Sequence, residues 1–251
     1  MKVEERVRDA AKALAAELTV ERICIGVGYT AVILSDGRGG VSYTFRDALG
    51  ASCGVLQGAG KVAGIPAAQA LDWIGNPNLA RAAIGIATAN ALFNGRFRRG
   101  ANIAEAVTCE PDDVVGMIGW FCPLVWKYQE AKSLYIFERH TDGVKPSGKA
   151  QILQDNQAYA LLPQCNKVVL TGTSFVNGTA DGLLKACTGA KEIIVVGAST
   201  PMCPEVLRDY GVTVLAGTAI TDAELALRIC AEGGGGMDLS PASVKLLERI
   251  R

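Results

Sequence analysis

The sequence has a single histidine, His140, and no net charge: 25 Lys and Arg residues balance 25 Asp and Glu residues in 251. Without a basic excess, nucleic acid is not expected as a partner. The one local basic cluster, Arg96, Arg98 and Arg99, reads as a solvated turn after a helix or as a weak anion contact. No apolar run approaches the roughly 20 residues needed to span a bilayer, so no membrane partner is expected. No secretory leader is legible either, because Met1 leads straight into a charged amphipathic segment. The spacings C-x-x-C and H-x-x-H are missing, which argues against a structural zinc site. A full G-x-G-x-x-G fingerprint is missing too. No Ser–His–Asp arrangement is legible, so acid–base work would fall to His140, Glu138 or another carboxylate.

What is present is apolar residues (49%) and glycine (29 residues), enough for a large core joined by many tight turns. The eight cysteines lie mostly in apolar segments, as Cys24, Cys187 and Cys230 do. A chain this long does not need disulfide staples, so reduced thiols in a cytoplasmic protein are expected.

The chain changes rhythm near residue 110. Before it, Val3, Val7, Ala10, Ala11, Leu14 and Leu18 recur at helical spacing. Three apolar runs follow (23–28, 31–34 and 41–45), the last two joined by Asp36-Gly37-Arg38-Gly39-Gly40, a hairpin signal. An antiparallel meander is the expectation. Pro66 suits the first turn of a helix, and Asn78 can cap another running from Leu79 to about Phe93, stopped at Asn94-Gly95. That second helix is apolar on nearly every side, hence buried. Asn90 within it either ties down a loop or points into a cleft.

Thr108-Cys109-Glu110-Pro111-Asp112-Asp113 marks the expected boundary, giving domains 1–110 and 111–251. Beyond it, apolar runs at 114–121, 134–138, 167–171, 192–197 and 212–215 alternate with helical patterns, which predicts a parallel sheet covered on both faces. Thr200-Pro201 and Thr221-Asp222-Ala223-Glu224 read as helix starts, and Ser240-Pro241 as the start of a terminal helix.

Open parallel sheets bind ligands beyond the carboxyl ends of their strands. Gly119 and Glu138 end the first two runs of this half and are 19 residues apart, the offset at which a carboxylate holds ribose hydroxyls after a glycine turn. The other reading of Glu138 is a surface carboxylate paired with Arg139 or a Lys. Thr171-Gly172-Thr173-Ser174-Phe175-Val176-Asn177-Gly178-Thr179 carries more polar side chains than one helix cap needs, so a ligand-facing loop is favoured over capping alone. Cys122 and Cys203 fall just past strand ends. With Glu138 and His140 they either meet over one cleft as metal ligands or never meet.

The stretches T-G-T-S-F-V-N-G-T at 171–179 and G-A-S-T-P at 197–201, with V-V-G-M-I-G at 114–119 and I-F-E at 136–138, resemble the protein family described as "putative heavy-metal chelation". I-G-V-G-Y-T-A-V at 25–32 and I-G-I-A-T-A-N-A at 84–91 resemble the small domain that precedes it, so the likeness covers nearly the whole chain. It implies an α/β protein: an enolase N-terminal-like α+β domain followed by a Rossmann-like parallel-sheet domain, with a cleft between them. It implies condensation or hydrolysis in pterin, flavin or siderophore-type synthesis, or metal chelation.

Residues and resemblance together give one expectation. A small pterin- or nucleotide-like molecule binds between the domains, with Gly119, Thr171, Gly172, Thr173, Asn177, Ser199 and Thr200 on one side. Tyr29, Thr30 and Asn90 close it from the other, and Glu138 binds hydroxyls or carries protons. The competing expectations are a non-catalytic module for a divalent heavy metal or its chelate, using Cys122, Cys203 and His140, and an S-adenosylmethionine-dependent transferase. A homodimer is expected only from the general frequency of symmetric pairs.

Overall fold

The computed structural model describes residues 1–50, 54–97, 99–100, 102–140 and 148–250. Its first half runs α1 (Val3–Ala15), β1 (Val20–Ile25), β2 (Tyr29–Leu34), β3 (Gly39–Tyr43), α2 (Ala67–Leu71), α3 (Leu79–Phe93) and α4 (Ile103–Ala106). The second half runs β4 (Val114–Ile118), α5 (Cys122–Lys127), β5 (Ser133–Glu138), β6 (Ala150–Gln154), α6 (Ala158–Leu161), β7 (Lys167–Thr171), α7 (Ala180–Ala186), β8 (Glu192–Val196), α8 (Pro204–Leu207), β9 (Val214–Ile220), α9 (Ala223–Ala231) and β10 (Ser243–Arg249). Strands β1, β2 and β3 form the expected antiparallel meander, and Gly37 takes the left-handed conformation (φ +85°) that its hairpin turn requires. The remaining strands form one sheet in the order β10-β9-β8-β7-β4-β5-β6, parallel except for β10. The architecture is mixed α/β, as the alternation of apolar runs predicts.

Helix α3 occupies the predicted span, and the Asn78 side chain accepts from the Arg81 backbone N–H at 3.1 Å, satisfying an otherwise free donor of the first turn. All of α3 except its two first-turn residues Leu79 and Arg81 is buried. It fills a core shared by both halves: Val7 and Ala11 of α1, Ile86 and Phe93 of α3, and Val168, Leu170, Val195 and Leu215 of the large sheet belong to one apolar cluster. Helix α1 is fixed to α7 by reciprocal capping. The Val3 N–H donates to Asp181 Oδ1 at 3.1 Å, and the Asp181 N–H donates to Glu4 Oε1 at 3.3 Å.

Three helix starts differ from expectation. No helix follows Thr200-Pro201; α8 begins at Pro204, with Cys203 in the cap position. Helix α9 is capped by Asp222, whose side chain accepts from Leu225, while Glu224 turns to Arg22 of β1 instead of closing a capping box. Ser240-Pro241 forms a single 3-10 turn, and the segment after it is not a helix but the edge strand β10. Residues 243–249 pair antiparallel with β9 along their full length, which satisfies backbone groups a short terminal helix would leave open. Strand β6 was not legible at all: its alternation is weak and it lies at the opposite edge.

Candidate functional site

The large sheet reverses direction of growth at β4. From there the chain adds β5 and β6 on one side, then crosses to β7, β8 and β9 on the other. Two adjacent connections therefore leave in opposite directions at the carboxyl ends of β4 and β7, and this opens a crevice. A cleft of about 570 Å³ lies there. Its floor is formed by Ile118, Gly119, Phe137, Glu138 and Thr171, and its wall by Thr173, Ser174, Asn177 and Tyr159. Tyr43 at the end of β3, with Phe45, Asp47 and Ala48 just past it, reaches over from the meander.

Gly119 directly follows β4 in the left-handed region (φ +89°), and its N–H donates to the Phe137 carbonyl at 2.9 Å. That turn is what swings Trp120 and Phe121 into the cleft wall. Glu138 ends β5 and is half-buried. Burial raises its carboxyl above the usual carboxylate range; the backbone N–H groups of Trp120 and Arg139, and His140 nearby, oppose the rise without cancelling it. Arg139 lies 5.4 Å over the Phe45 ring and 3.5 Å from Asp155. His140 Nε2 is 3.7 Å from Asp47 Oδ2. Thr171 Oγ1 accepts from the Thr173 N–H at 3.3 Å, and the two hydroxyls are 3.1 Å apart.

Of the residues expected at the site, Gly119, Glu138, His140, Thr171, Thr173 and Asn177 line this cleft. Gly172, Ser199, Thr200, Tyr29, Thr30 and Asn90 do not; they build the seam that holds the meander against the large sheet. Asn90 Nδ2 donates to the Val41 carbonyl at 2.9 Å and to the Ala198 carbonyl at 3.3 Å. Ser199 Oγ accepts from the Tyr43 N–H at 2.8 Å. Thr30 is fully buried against Thr44 (2.9 Å between hydroxyls). Tyr29 supports Tyr43 edge-on at 6.0 Å. A Cβ on Gly172 would fall 2.5 Å from the Thr200 nitrogen, so this glycine admits the 199–200 backbone rather than a ligand. Asn177 Oδ1 is engaged by the Thr179 hydroxyl at 2.7 Å, so it shapes its loop as well as facing the cleft.

Six aromatic residues of the wall were missed: Tyr43, Phe45, Trp120, Phe121, Phe137 and Tyr159. They are a large part of the chain's 6 Phe, 6 Tyr and 3 Trp. The signal available in sequence was position: Trp120 and Phe121 directly follow the end of β4, where open parallel sheets bind ligands. Asp155 and Asn156 were missed with β6, which delivers them.

The family model described as "Putative heavy-metal chelation" (DUF364) matches residues 102–248, and a second model of the same description (DUF4213) matches residues 7–93. The chain belongs to the DUF364 family. An uncharacterized protein of Methanocaldococcus jannaschii is 30% identical over 168 residues, spanning 64% of this chain and 63% of that one. The fold is that of a DUF364 protein of unknown function from Pyrococcus horikoshii, with a TM-score of 0.83 at 23% identity over 99% of this chain and 100% of the other. A DUF364 protein of unknown function from Desulfitobacterium hafniense gives 0.77 at 23% identity over 97% and 98%.

The thiol ligands expected for a metal are not assembled in this DUF364 chain. Cys203 is fully buried at the start of α8, Cys122 is exposed at the start of α5, and neither lines the cleft that His140 faces. Among the described residues, no three His, Cys, Asp or Glu side chains converge to hold a metal ion. Burial pushes the Cys203, Cys187 and Cys230 thiols up to about 12, away from the thiolate form that binds metals. Alkylation of the native protein with iodoacetamide should therefore modify Cys122 quickly, and Cys187, Cys203 and Cys230 only after unfolding. Peptide mapping by mass spectrometry checks this; early labelling of Cys203 would show the α8 start to be open. No helix among the described residues is long and apolar enough to cross a membrane.

Proposed function

We propose that the chain binds a small, hydroxyl-bearing heteroaromatic molecule in the cleft between residues 1–110 and 111–251, and acts on it in a condensation or hydrolysis step of metal-chelator metabolism. The observation that carries the reading is Glu138. Its carboxylate sits at a strand end, half-buried, inside an aromatic-walled crevice at the sheet's switch point, with the backbone N–H groups of Trp120 and Arg139 nearby. A planar ring gains from the aromatic walls. Hydroxyl groups suit a carboxylate with lone pairs to spare. A carboxyl held above its usual range is also closer to the pH at which it can give and take a proton. Thr171, Thr173 and Asn177 supply further hydrogen-bonding groups from the opposite side. In this reading the heavy metal of the family description is met through an organic chelator, not through protein thiols.

The test is a thermal-shift panel of pterins, flavins, nucleosides, nucleotides, S-adenosylmethionine and divalent metals on wild type and Glu138→Gln. A ligand at 100 times its Kd stabilises by about 2.7 kcal/mol. An organic ligand should shift the midpoint in wild type, and the shift should shrink in Glu138→Gln. A shift produced by metals alone would replace this reading with a metal-binding module.

The variant itself should fold. A carboxyl whose folded-state pKa is raised costs stability as pH rises through its titration range, because the ionised form is the disfavoured one. Glu138→Gln should match wild type at acid pH and equal or slightly exceed it near neutrality. Asn177→Ala is a poorer test, since it also removes the loop contact to Thr179.

A further inference from the structure

We infer that the cleft selects a ribonucleoside whose 5′ substituent is uncharged or cationic, and discriminates against the corresponding phosphate. This rests on the cleft reading above and narrows it.

Three neighbouring strand ends meet at the cleft. β4 delivers Gly119, β5 delivers Glu138, and β6 delivers Asp155 and Asn156. Glu138 pairs in register with Gln154, so Asp155 stands one strand over and one residue further out. Adjacent strands are about 4.8 Å apart, close to the offset between a ribose and the base it carries. The Glu138 carboxylate lines the cleft from the end of β5 and can accept two hydrogen bonds at once, which is what a vicinal diol donates. Asp155 accepts, and the Asn156 amide both donates and accepts. Together they match an amino group beside a ring nitrogen on the edge of a base. Tyr159, an exposed ring in the same wall, offers a face for stacking, and Phe45 carries Arg139 over its own ring.

Charge sets the remaining specificity. Asp47, Glu138 and Asp155 all line the cleft. Both described cations of the lining, Arg139 and His140, already face carboxylates: Arg139 is 3.5 Å from Asp155, and His140 is 3.7 Å from Asp47. A phosphate here would add negative charge beside three carboxylates. A neutral or cationic tail would not, and it would meet the Thr171 and Thr173 hydroxyls.

The experiment is equilibrium binding to the full chain, read by calorimetry or Trp120 fluorescence. The probes are adenosine, guanosine, cytidine, S-adenosylhomocysteine, the 2′-deoxynucleosides and the 5′-monophosphates, with a pterin and riboflavin alongside. One ribonucleoside or its thioether should bind. Its 2′-deoxy form should bind about tenfold or more weakly, the loss expected for one hydrogen bond to a charged acceptor, and so should its 5′-monophosphate. Glu138→Gln should erase most of the ribose-over-deoxyribose preference, and Asp155→Asn should narrow the gap between nucleoside and monophosphate. Equal or tighter binding of the monophosphate, or no ribose preference, would overturn the inference. If a pterin or riboflavin binds and no nucleoside does, the cleft reading stands and this inference falls. If nothing in the panel binds, both fall.

Discussion

Replacing Asp113 with Ala is expected to remove about 3–5 kcal/mol of stability, the cost of stranding a buried charge. Asp113 lies just before β4, at the end of the sheet opposite the cleft, and its side chain is only 4% exposed. Its Oδ2 is 2.9 Å from Lys167 Nζ, Oδ1 accepts from Asn166 Nδ2 at 2.9 Å, and the Glu110 N–H donates at 2.7 Å. Lys167, 11% exposed, also donates to the Thr108 carbonyl at 2.8 Å. The network ties the first residues of β4 and β7 together, the two strands that flank the switch point. Removing Asp113 leaves the buried Lys167 ammonium with the Thr108 carbonyl and hydroxyl and only a longer, 3.9 Å contact to the Glu192 carboxylate. The double change Asp113→Leu with Lys167→Met should recover much of the loss, because no unpaired charge then remains.

The pH dependence carries a definite sign. Burial alone would raise the Asp113 carboxyl; the Glu110 N–H, Lys167 and Asn166 outweigh it and hold the group below its usual range. A depressed carboxyl contributes stability above its ordinary titration range and loses it as pH falls through the lowered value. Urea midpoints of wild type and Asp113→Ala should therefore differ widely at pH 7 and converge in acid. Parallel curves down to pH 3 would show that the pair contributes packing rather than charge.

Gly40→Ala is the second large effect, expected to cost about 3 kcal/mol, at the upper end of what overpacking costs. Gly40 lies in β3 where the strand crosses α3. A Cβ there would sit 2.1 Å from the Ala87 carbonyl oxygen and 2.4 Å from the Ala91 nitrogen. Both are backbone atoms in the interior of a buried helix, so neither can swing aside as a long side chain would. The strand must lift from the helix. That movement would drag Tyr43 and Phe45 away from the cleft, so ligand binding should weaken along with stability. Gly95→Ala, where a Cβ would meet nothing within 4 Å, is the matched control. Equal midpoints for the two variants in a urea titration would show that β3 and α3 are not in close contact.

How far the sequence was legible follows from the range of the forces involved. The meander, α3 with its Asn78 cap, and the parallel strands β4, β5, β7, β8 and β9 were visible because periodicity and capping act over a few neighbouring residues. Glu138 and Gly119 were visible because a strand–turn–strand offset is a local count. Strand β10 was misread as a helix because its identity depends on the free edge of β9, which no local pattern encodes. Asp155 and Asn156 were lost with the weak edge strand β6. Tyr29, Thr30, Asn90, Ser199 and Thr200 were placed in the cleft by their polarity, whereas Asn90 and Ser199 spend theirs on backbone groups across the seam and Thr30 on the Thr44 hydroxyl.

The sequence by itself determined the mixed α/β class, the element order over most of the chain, the family and the candidate carboxylate. Only tertiary structure decided which polar residues face the cleft and which lock the seam, that Cys122, Cys203 and His140 form no metal-holding group among the described residues, and that Phe45 and Asp47, just past the meander, close over Arg139 and His140. The physical reason is that each of those outcomes is a contact between residues tens to hundreds of positions apart. Such contacts are fixed by how two layers pack on one shared core, and a hydrogen-bonding side chain looks the same in sequence whichever layer it finally meets.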